Sequence, residues 1–362
     1  MSDALQLALF EGDGIGPEIV AGTRRVIDEV AGAVGLTYEC VTYPIGFSAL
    51  EKYGTTFPEE ALRLAQESDG VVLGPVSHLD YPSAQEGGVN PSGALRRELD
   101  LYANIRPART YEGVQRLSRT PFDLVVVREN TEGFYADRTM HIGTGEVMPT
   151  PDLAMSFRKV TREGSLRIAR QAFELAGQRG TGVTAVHKSN VLRVSDGLFL
   201  ECVRQVAAEH PEIEYREELV DAMAALLIRA PEQFGVIVTT NMFGDILSDE
   251  ATELSGSIGL AASLNVGEKH GMAQAQHGSA PSLAGQDKAN PASLIGSVAM
   301  LFGWLGERRR EPLLLRAGEA ITEAITSLVA EPATRTGDLG GTMGTQEFSR
   351  AVAEIAADAL RM

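Results

Sequence analysis

Phe10-Glu11-Gly12-Asp13-Gly14-Ile15-Gly16-Pro17-Glu18 joins an apolar run, Leu5–Phe10, to a long helical pattern, Gly16–Val34. A glycine-rich turn between a strand and a helix is where a dinucleotide fingerprint would sit. The G-x-G-x-x-G spacing, however, would put its third glycine where Pro17 stands. Proline suits the first helical turn, where its missing N–H costs little. The stretch therefore reads as a tight strand-to-helix turn, and the ordinary Rossmann phosphate loop is the weaker reading.

Outward from this turn, short apolar runs alternate with longer amphipathic ones. Leu5–Phe10, Gly70–Leu73, Asp123–Val127, Val183–His187 and Val236–Thr239 read as buried strands. Gly16–Val34, Pro58–Glu67, Leu153–Ala176, Ser195–Ala208 and Asp221–Arg229 read as helices, as do Ala292–Leu305, Pro312–Val329 and Thr345–Leu360 near the end. That alternation predicts an α/β protein with a substantially parallel sheet. Gly133–Thr150 reads as a hairpin arm or a loop. Gly271–Pro291 reads as a long, functional loop.

The 362 residues predict two domains. A net charge of −17 speaks against nucleic acid or an anionic membrane as partner, and means that an anionic substrate would need a local cluster of cations. Cys40 and Cys202 give neither a disulfide framework nor a zinc spacing, so both are assigned to core packing. No secretory pattern opens the chain, and no apolar run approaches the ~20 residues that span a bilayer. A cytoplasmic protein is expected.

The charges that could carry chemistry sit where apolar strands end, the edge at which α/β sheets bind ligands. In Asn241-Met-Phe-Gly-Asp245-Ile-Leu-Ser-Asp249, two carboxylates four apart share one helix face. They either hold a hard cation such as Mg²⁺ or Mn²⁺ or answer the helix dipole in a first turn. Asp221 is an N-cap, or a third ligand if the strand ends converge. Arg128 closes Asp123–Val127 and must find a partner, whereas Arg96 and Arg106 flank Leu99–Ile105, and Arg96, adjoined by Arg97 and Glu98, by itself reads as part of a solvated helix face. Guanidinium forks match carboxylates. Lys188 closes another apolar strand and is a candidate base; Tyr135 by itself is more readily packing. No P-loop, G-x-S-x-G or Cys/His nucleophile pattern occurs.

Taken in order, Gly12–Glu18, Asn241–Asp249, His277-Gly-Ser-Ala-Pro281 with Ala289-Asn-Pro291, and Gly337–Gly341 resemble the β-decarboxylating dehydrogenases of isopropylmalate, isocitrate, homoisocitrate, tartrate and D-malate. The resemblance covers nearly the whole chain. It implies the isocitrate/isopropylmalate dehydrogenase-like fold, an α/β fold of two domains around a mixed sheet that is not a Rossmann fold. Residues 1–101 and 257–362 would form the cofactor domain, and 102–256 the metal, substrate and dimerisation domain. It implies a carboxylate clamp of Arg96, Arg106 and Arg128, with Asn90 and Ser92 nearby, and Mg²⁺ or Mn²⁺ on Asp221, Asp245 and Asp249. Tyr135 and Lys188 would be the acid–base pair. Asn190, His277, Gly278, Ser279, Ala280, Ser282 and Asn290 would bind the cofactor. Lys188 and Asp221 would reach the partner's site in a homodimer, clasped by the Gly133–Thr150 arm.

Two departures bear on specificity. Ser282 stands where NAD-type relatives carry an acid, and Gln274 where relatives tend to have Glu; the balance favours NAD over NADP. The stretch Gly87-Gly-Val-Asn90-Pro-Ser92-Gly93 lacks the bulky apolar groups of isopropylmalate enzymes and favours a substrate with a polar C3 substituent. Two rivals remain. A non-catalytic regulatory subunit would be expected to lose part of the acid–base and metal set, which this chain keeps. A plain dinucleotide- or sugar-phosphate-binding α/β protein predicts a working glycine loop, which Pro17 breaks.

Overall fold

The computed structural model describes residues 4–135, 140 and 145–362. In chain order its main elements are β1 (Leu5–Phe10), α1 (Gly16–Val34), β2 (Tyr38–Thr42), α2 (Phe47–Tyr53), α3 (Glu59–Glu67), β3 (Gly70–Leu73), α4 (Pro91–Glu98), β4 (Ala103–Arg109), β5 (Asp123–Glu129) and β6 (Glu146–Thr150). There follow β7 (Leu153–Ser156), α5 (Arg162–Arg179), β8 (Val183–His187), α6 (Ser195–Glu209), β9 (Tyr215–Leu219), α7 (Val220–Arg229), β10 (Val236–Thr239) and α8 (Asn241–Ser255). The last are β11 (Leu264–Val266), β12 (Gly271–Gln274), α9 (Ala292–Arg309), α10 (Pro312–Ala330) and α11 (Thr345–Arg361).

Among the described residues, ten strands form one sheet in the order β2-β1-β3-β12-β11-β4-β5-β10-β8-β9. The two flanks are parallel. The centre is not: β11 runs antiparallel to both β12 and β4, and β4 runs antiparallel to β5. The sheet is therefore mixed, with an order unlike a Rossmann sheet. Buried strands such as β3, β8 and β10 are covered on both faces, so they read as continuous apolar runs. The outermost strands, β2 and β9, carry Glu39 and Arg216-Glu217-Glu218, charges that discourage pairing with a further strand. This polarity hides β2 from a search for apolar runs. The first five strands in the sheet come from residues 1–101 and 257–362, the other five from 102–256. On the first half, α1, α9, α10 and α11 bury Ile27, Leu301, Phe302, Ile321 and Phe348 in one core. Full burial of such a side chain contributes about 1.5–3 kcal/mol.

Several sequence expectations change. The helix expected over Leu153–Ala176 begins only at Arg162, where the Thr161 side chain accepts the Gly164 N–H. Leu153–Ser156 instead pairs with Glu146–Thr150 as an exposed hairpin, because two short segments ran together in the pattern. Within the expected Gly133–Thr150 arm, residues 136–139 and 141–144 lie outside those described. The expected loop Gly271–Pro291 opens with β12, a central strand between β3 and β11. A Cβ at Gly271 would sit 2.9 Å from Leu301 and Trp304, so a glycine that looked like loop chemistry is a packing requirement. Finally, Arg106 lies inside β4, and Cys40 is only half-buried while Cys202 is buried; both thiols are free.

Candidate active site

Helix α8 follows β10, with Thr240 as N-cap. Asn241, Asp245, Ser248 and Asp249 fall at i, i+4, i+7 and i+8 and share the face turned toward β4 and β5. In the β4–β5 register Asn104 stands opposite Arg128 and Arg106 opposite Val126, which puts both guanidinium groups on the same face of the sheet. Arg128 donates from Nε (3.0 Å) and Nη2 (2.7 Å) to Asn241 Oδ1, and its Nη1 pairs with Asp245 Oδ1. Arg106 Nη1 reaches Ser248 Oγ (2.8 Å), Asp245 Oδ1 (3.1 Å) and Asp249 Oδ1 (3.4 Å). The Tyr135 hydroxyl donates to Asp245 Oδ2 at 3.2 Å, and its ring lies over Arg128.

The electrostatics follow from this geometry. Burial pushes the Asp245 carboxyl up, but Arg128, Arg106 and Arg96, with the Tyr135 hydrogen bond, outweigh it and hold the group below its ordinary value. Burial and repulsion from Arg128 pull Arg106 down to about 10, against the attraction of Asp245 and Asp249. Asp245 and Asp249 lie beyond the first turn of α8, so answering the helix dipole does not explain them. Asn241 and Ser248, which sequence reasoning passed over, belong to the same face; the helical period of the Asn241–Asp249 stretch was the signal for them.

A cleft of about 240 Å³ opens between this face and the other half of the sheet. Asn90, Ser92 and Arg96 line it from the start of α4, where the Asn90 side chain accepts the Gly93 N–H. Gln274, at the end of β12, accepts from Ser92 Oγ (3.1 Å) and Arg96 Nη2 (3.3 Å) through Oε1. Gln276, also missed, donates to Asp249 Oδ1 at 2.6 Å. Expected clamp residues Arg96, Arg106 and Arg128 thus line one cleft with Tyr135 and Asp245.

His277 and Gly278 continue the lining. Ser279 is held by the glycine-rich turn: its carbonyl accepts the Ile15 N–H at 2.8 Å, and its Oγ lies 2.7 Å from Ser77 Oγ. A Cβ on Gly14 would stand 2.0 Å from that carbonyl oxygen, so Gly14 is glycine to let the two loops touch. Ala280 follows with φ at 37°. Among the described residues, His277 Nε2 is buried with no hydrogen-bond partner, and burial holds the ring below its ordinary pKa. Among the described residues other than its chain neighbours, none stands within 4 Å of a Cβ built on Gly278. An orphaned ring nitrogen beside an open glycine fits a heteroaromatic ligand such as a nucleotide base. Asn290 bonds Asp338 at 3.0 Å, while Ser282 is exposed. Arg335 donates to the Val329 and Ala330 carbonyls at the end of α10.

Lys188 and Asp221 stand apart from this cleft. Lys188 directly follows β8 and meets the exposed Asp221 at 2.5 Å (Nζ to Oδ1); this bond holds the Asp221 carboxyl below its ordinary value. Asp221 lies within the first turn of α7, whose N-cap is Leu219. Asn190 is exposed. Among the described residues of one chain, no three His, Cys, Asp or Glu side chains are grouped to hold a metal. Asp245 and Asp249 adjoin each other, and convergence of Asp221 on them does not occur within a single chain.

The chain as a whole is similar to known proteins. The family model for isocitrate/isopropylmalate dehydrogenase matches residues 6–352. The chain is 39% identical over 354 residues to a 3-isopropylmalate dehydrogenase of Archaeoglobus fulgidus, covering 97% of this chain and 99% of that one. It is also 39% identical over 355 residues to an isocitrate/homoisocitrate dehydrogenase of Thermus thermophilus, covering 97% and 98%. The crystal structure of an isocitrate dehydrogenase from Methylococcus capsulatus superposes with a TM-score of 0.85 at 37% identity, over 99% of this chain and all of that one. With the cleft's arginines and carboxylates in place on the fold that these proteins share, the chain belongs to the isocitrate/isopropylmalate dehydrogenase family and is an oxidoreductase of it.

Proposed function

We propose that this protein oxidises the 2-hydroxyl of a 3-substituted malate with NAD and either Mg²⁺ or Mn²⁺, and releases one carboxylate as CO₂. The observation that carries the reading is Asp245, an ionised carboxylate held between Arg106, Arg128 and Tyr135 in one cleft. Family membership supports oxidative decarboxylation of a malate-type acid. The polar lining at Asn90 and Ser92 favours a polar group at C3.

Arg96, Arg106 and Arg128 bind and orient the substrate carboxylates; two or three charge-assisted bonds at fixed angles also set which face of C2 is presented. Asp245 and Asp249 supply hard oxygen donors suited to the divalent cation, with Asp221 of a second subunit. When bound, the cation would supply Lewis-acid polarisation of the C2 oxygen, and the nicotinamide a hydride acceptor. Lys188 removes the hydroxyl proton, and Tyr135 returns a proton to C3 after the carboxylate departs. Such proton transfers each accelerate a reaction ~10²–10⁴-fold. His277–Ala280, Ser282, Asn290 and Asn190 form the cofactor side. Arg335 is engaged with backbone carbonyls, which leaves it poorly placed for a 2′-phosphate and favours NAD.

The working unit is a homodimer with shared sites, in the cytoplasm. Support comes from the distance of Lys188–Asp221 from the cleft and from the apolar side chains exposed nearby, Val191, Val194, Ile228 and Ile246, with Met148 and Met155 on the hairpin. Residues 1–101 with 257–362, and 102–256, act as two domains that meet along β11 and β4. A substrate panel of isopropylmalate, isocitrate, homoisocitrate, tartrate and D-malate tests the proposal, each with NAD and NADP and with Mn²⁺ or EDTA. It stands if one acid yields reduced cofactor and CO₂ only with metal, and falls if none does or if metal is irrelevant.

A further inference from the structure

Gln276 lies in the cofactor half of the chain, directly before His277, and its side chain reaches helix α8 in the other half. Its Nε2 donates to Asp249 Oδ1 at 2.6 Å and to Thr252 Oγ1, one helical turn further on, at 3.4 Å. The backbone is held as well. The Gln276 N–H donates to Ser293 Oγ of α9 at 3.4 Å, and Ser293 in turn donates to the Ala261 carbonyl. The glutamine thus reaches Asp249 from a fixed base in the opposite half.

Two features set this contact apart from packing. A carboxylate can face only the NH₂ side of an amide, so Asp249 fixes the orientation and Oε1 turns away. Among the described residues that oxygen is buried with no hydrogen-bond partner. A buried orphan acceptor is costly, and an apolar side chain of the same length would avoid it; the position serves the donor. The other feature is on the Asp249 side. That side chain is 55% exposed, so packing does not fix it. Gln276 and, at 3.4 Å, Arg106 both fall on Oδ1, which turns the carboxylate and leaves Oδ2 for another partner.

We infer that Gln276 is a positioning residue for the divalent cation, orienting the Asp249 carboxylate from across the cleft. This rests on the metal role given to Asp249 above. Both side chains belong to one chain and one cleft, so the contact is the same whichever subunit supplies the third carboxylate. Gln276 acts through Asp249. A hydrogen bond that orients a metal-ligating side chain typically carries ~10- to 100-fold in metal affinity.

The test measures Mn²⁺ binding to the full-length protein by calorimetry, without substrate, so that turnover is not the readout. Gln276→Met keeps the length of the side chain and removes the amide. Its Kd for Mn²⁺ should rise ~10- to 100-fold. The melting temperature of the metal-free protein should stay at the wild-type value, and the Kd for NADH, read from its fluorescence, within about twofold. Asp249→Asn should also weaken Mn²⁺ binding. Adding Gln276→Met to that variant should cost at most about twofold more, because the glutamine acts through the carboxylate already removed. Unchanged Mn²⁺ affinity in Gln276→Met overturns the inference, as does a full further loss in the double variant. An equal loss of NADH and Mn²⁺ affinity marks a general disturbance of the cleft and overturns it too. Wild-type protein that binds no Mn²⁺, or Asp249→Asn with unchanged affinity, would instead overturn the metal role of Asp249 itself, so the two failures are distinguishable.

Discussion

Gly244 of α8 packs directly on Arg128 of β5: a Cβ added to it would lie 2.6 Å from Arg128 Cγ and 3.2 Å from its Cα. Glycine inside a helix costs about 1 kcal/mol relative to alanine, so its presence here answers a need for close approach. That approach lets Arg128 reach both Asn241 and Asp245 on the same helix. Gly244→Ala should push α8 away from β5, destabilising the fold by about 1–3 kcal/mol and lowering kcat/KM as well. Thermal unfolding and steady-state rates check this together. An alanine variant that is more stable and equally active would show that the contact yields freely.

Asp245→Asn removes the countercharge that Arg106 and Arg128 share, and one donor to the cation. Lys188→Ala removes the proposed base. Each should lower kcat by ~10²–10⁴-fold while circular dichroism shows a folded protein. Near-normal turnover in either variant refutes the role given to that residue.

Gln274 presents a neutral oxygen to Ser92 and Arg96. Gln274→Glu would put a carboxylate beside Arg96, where it competes with a substrate carboxylate for the same guanidinium. The expected result is a rise in KM for the acid of roughly 10-fold, with a smaller change in KM for NAD. An unchanged KM would mean that Arg96 does not bind the substrate.

Burial holds His277, His187 and His270 below the ordinary value of 6.5. Each is then neutral in the fold, and protonation favours the unfolded chain. The sign follows: their contribution to stability is present above 6.5 and is lost as pH falls through the lower folded-state values. The melting temperature should be flat above pH 7 and drop on acidification below 6.5. His277→Gln should make that drop shallower. A stability that rises toward pH 5.5 would contradict the assignment.

Strand β1, helix α1 and the three C-terminal helices were legible from the sequence because their signal is local. A buried parallel strand is an unbroken apolar run, and a surface helix repeats every 3.6 residues. Of the two edge strands, β9 is legible as the possible strand Glu214–Val220 before Asp221, whereas β2 escapes a search for apolar runs, since charge on an edge is itself the device that protects it. Strand β12 was mistaken for loop because Gly271 signals a turn in isolation and becomes a packing contact only once Trp304 is placed against it.

The sequence by itself determined the α/β character, the broken dinucleotide fingerprint at Pro17, and the pair of carboxylates on one face of the Asn241–Asp249 helix. The tertiary structure decided who meets them. Arg106 and Arg128 reach Asp245 across more than a hundred residues because antiparallel β4 and β5 place them on one face. Lys188 goes instead to Asp221, at a distance from that cleft. Helical period and apolar runs are properties of neighbouring residues, whereas sheet order and register depend on pairings between distant segments, which no stretch of sequence contains alone.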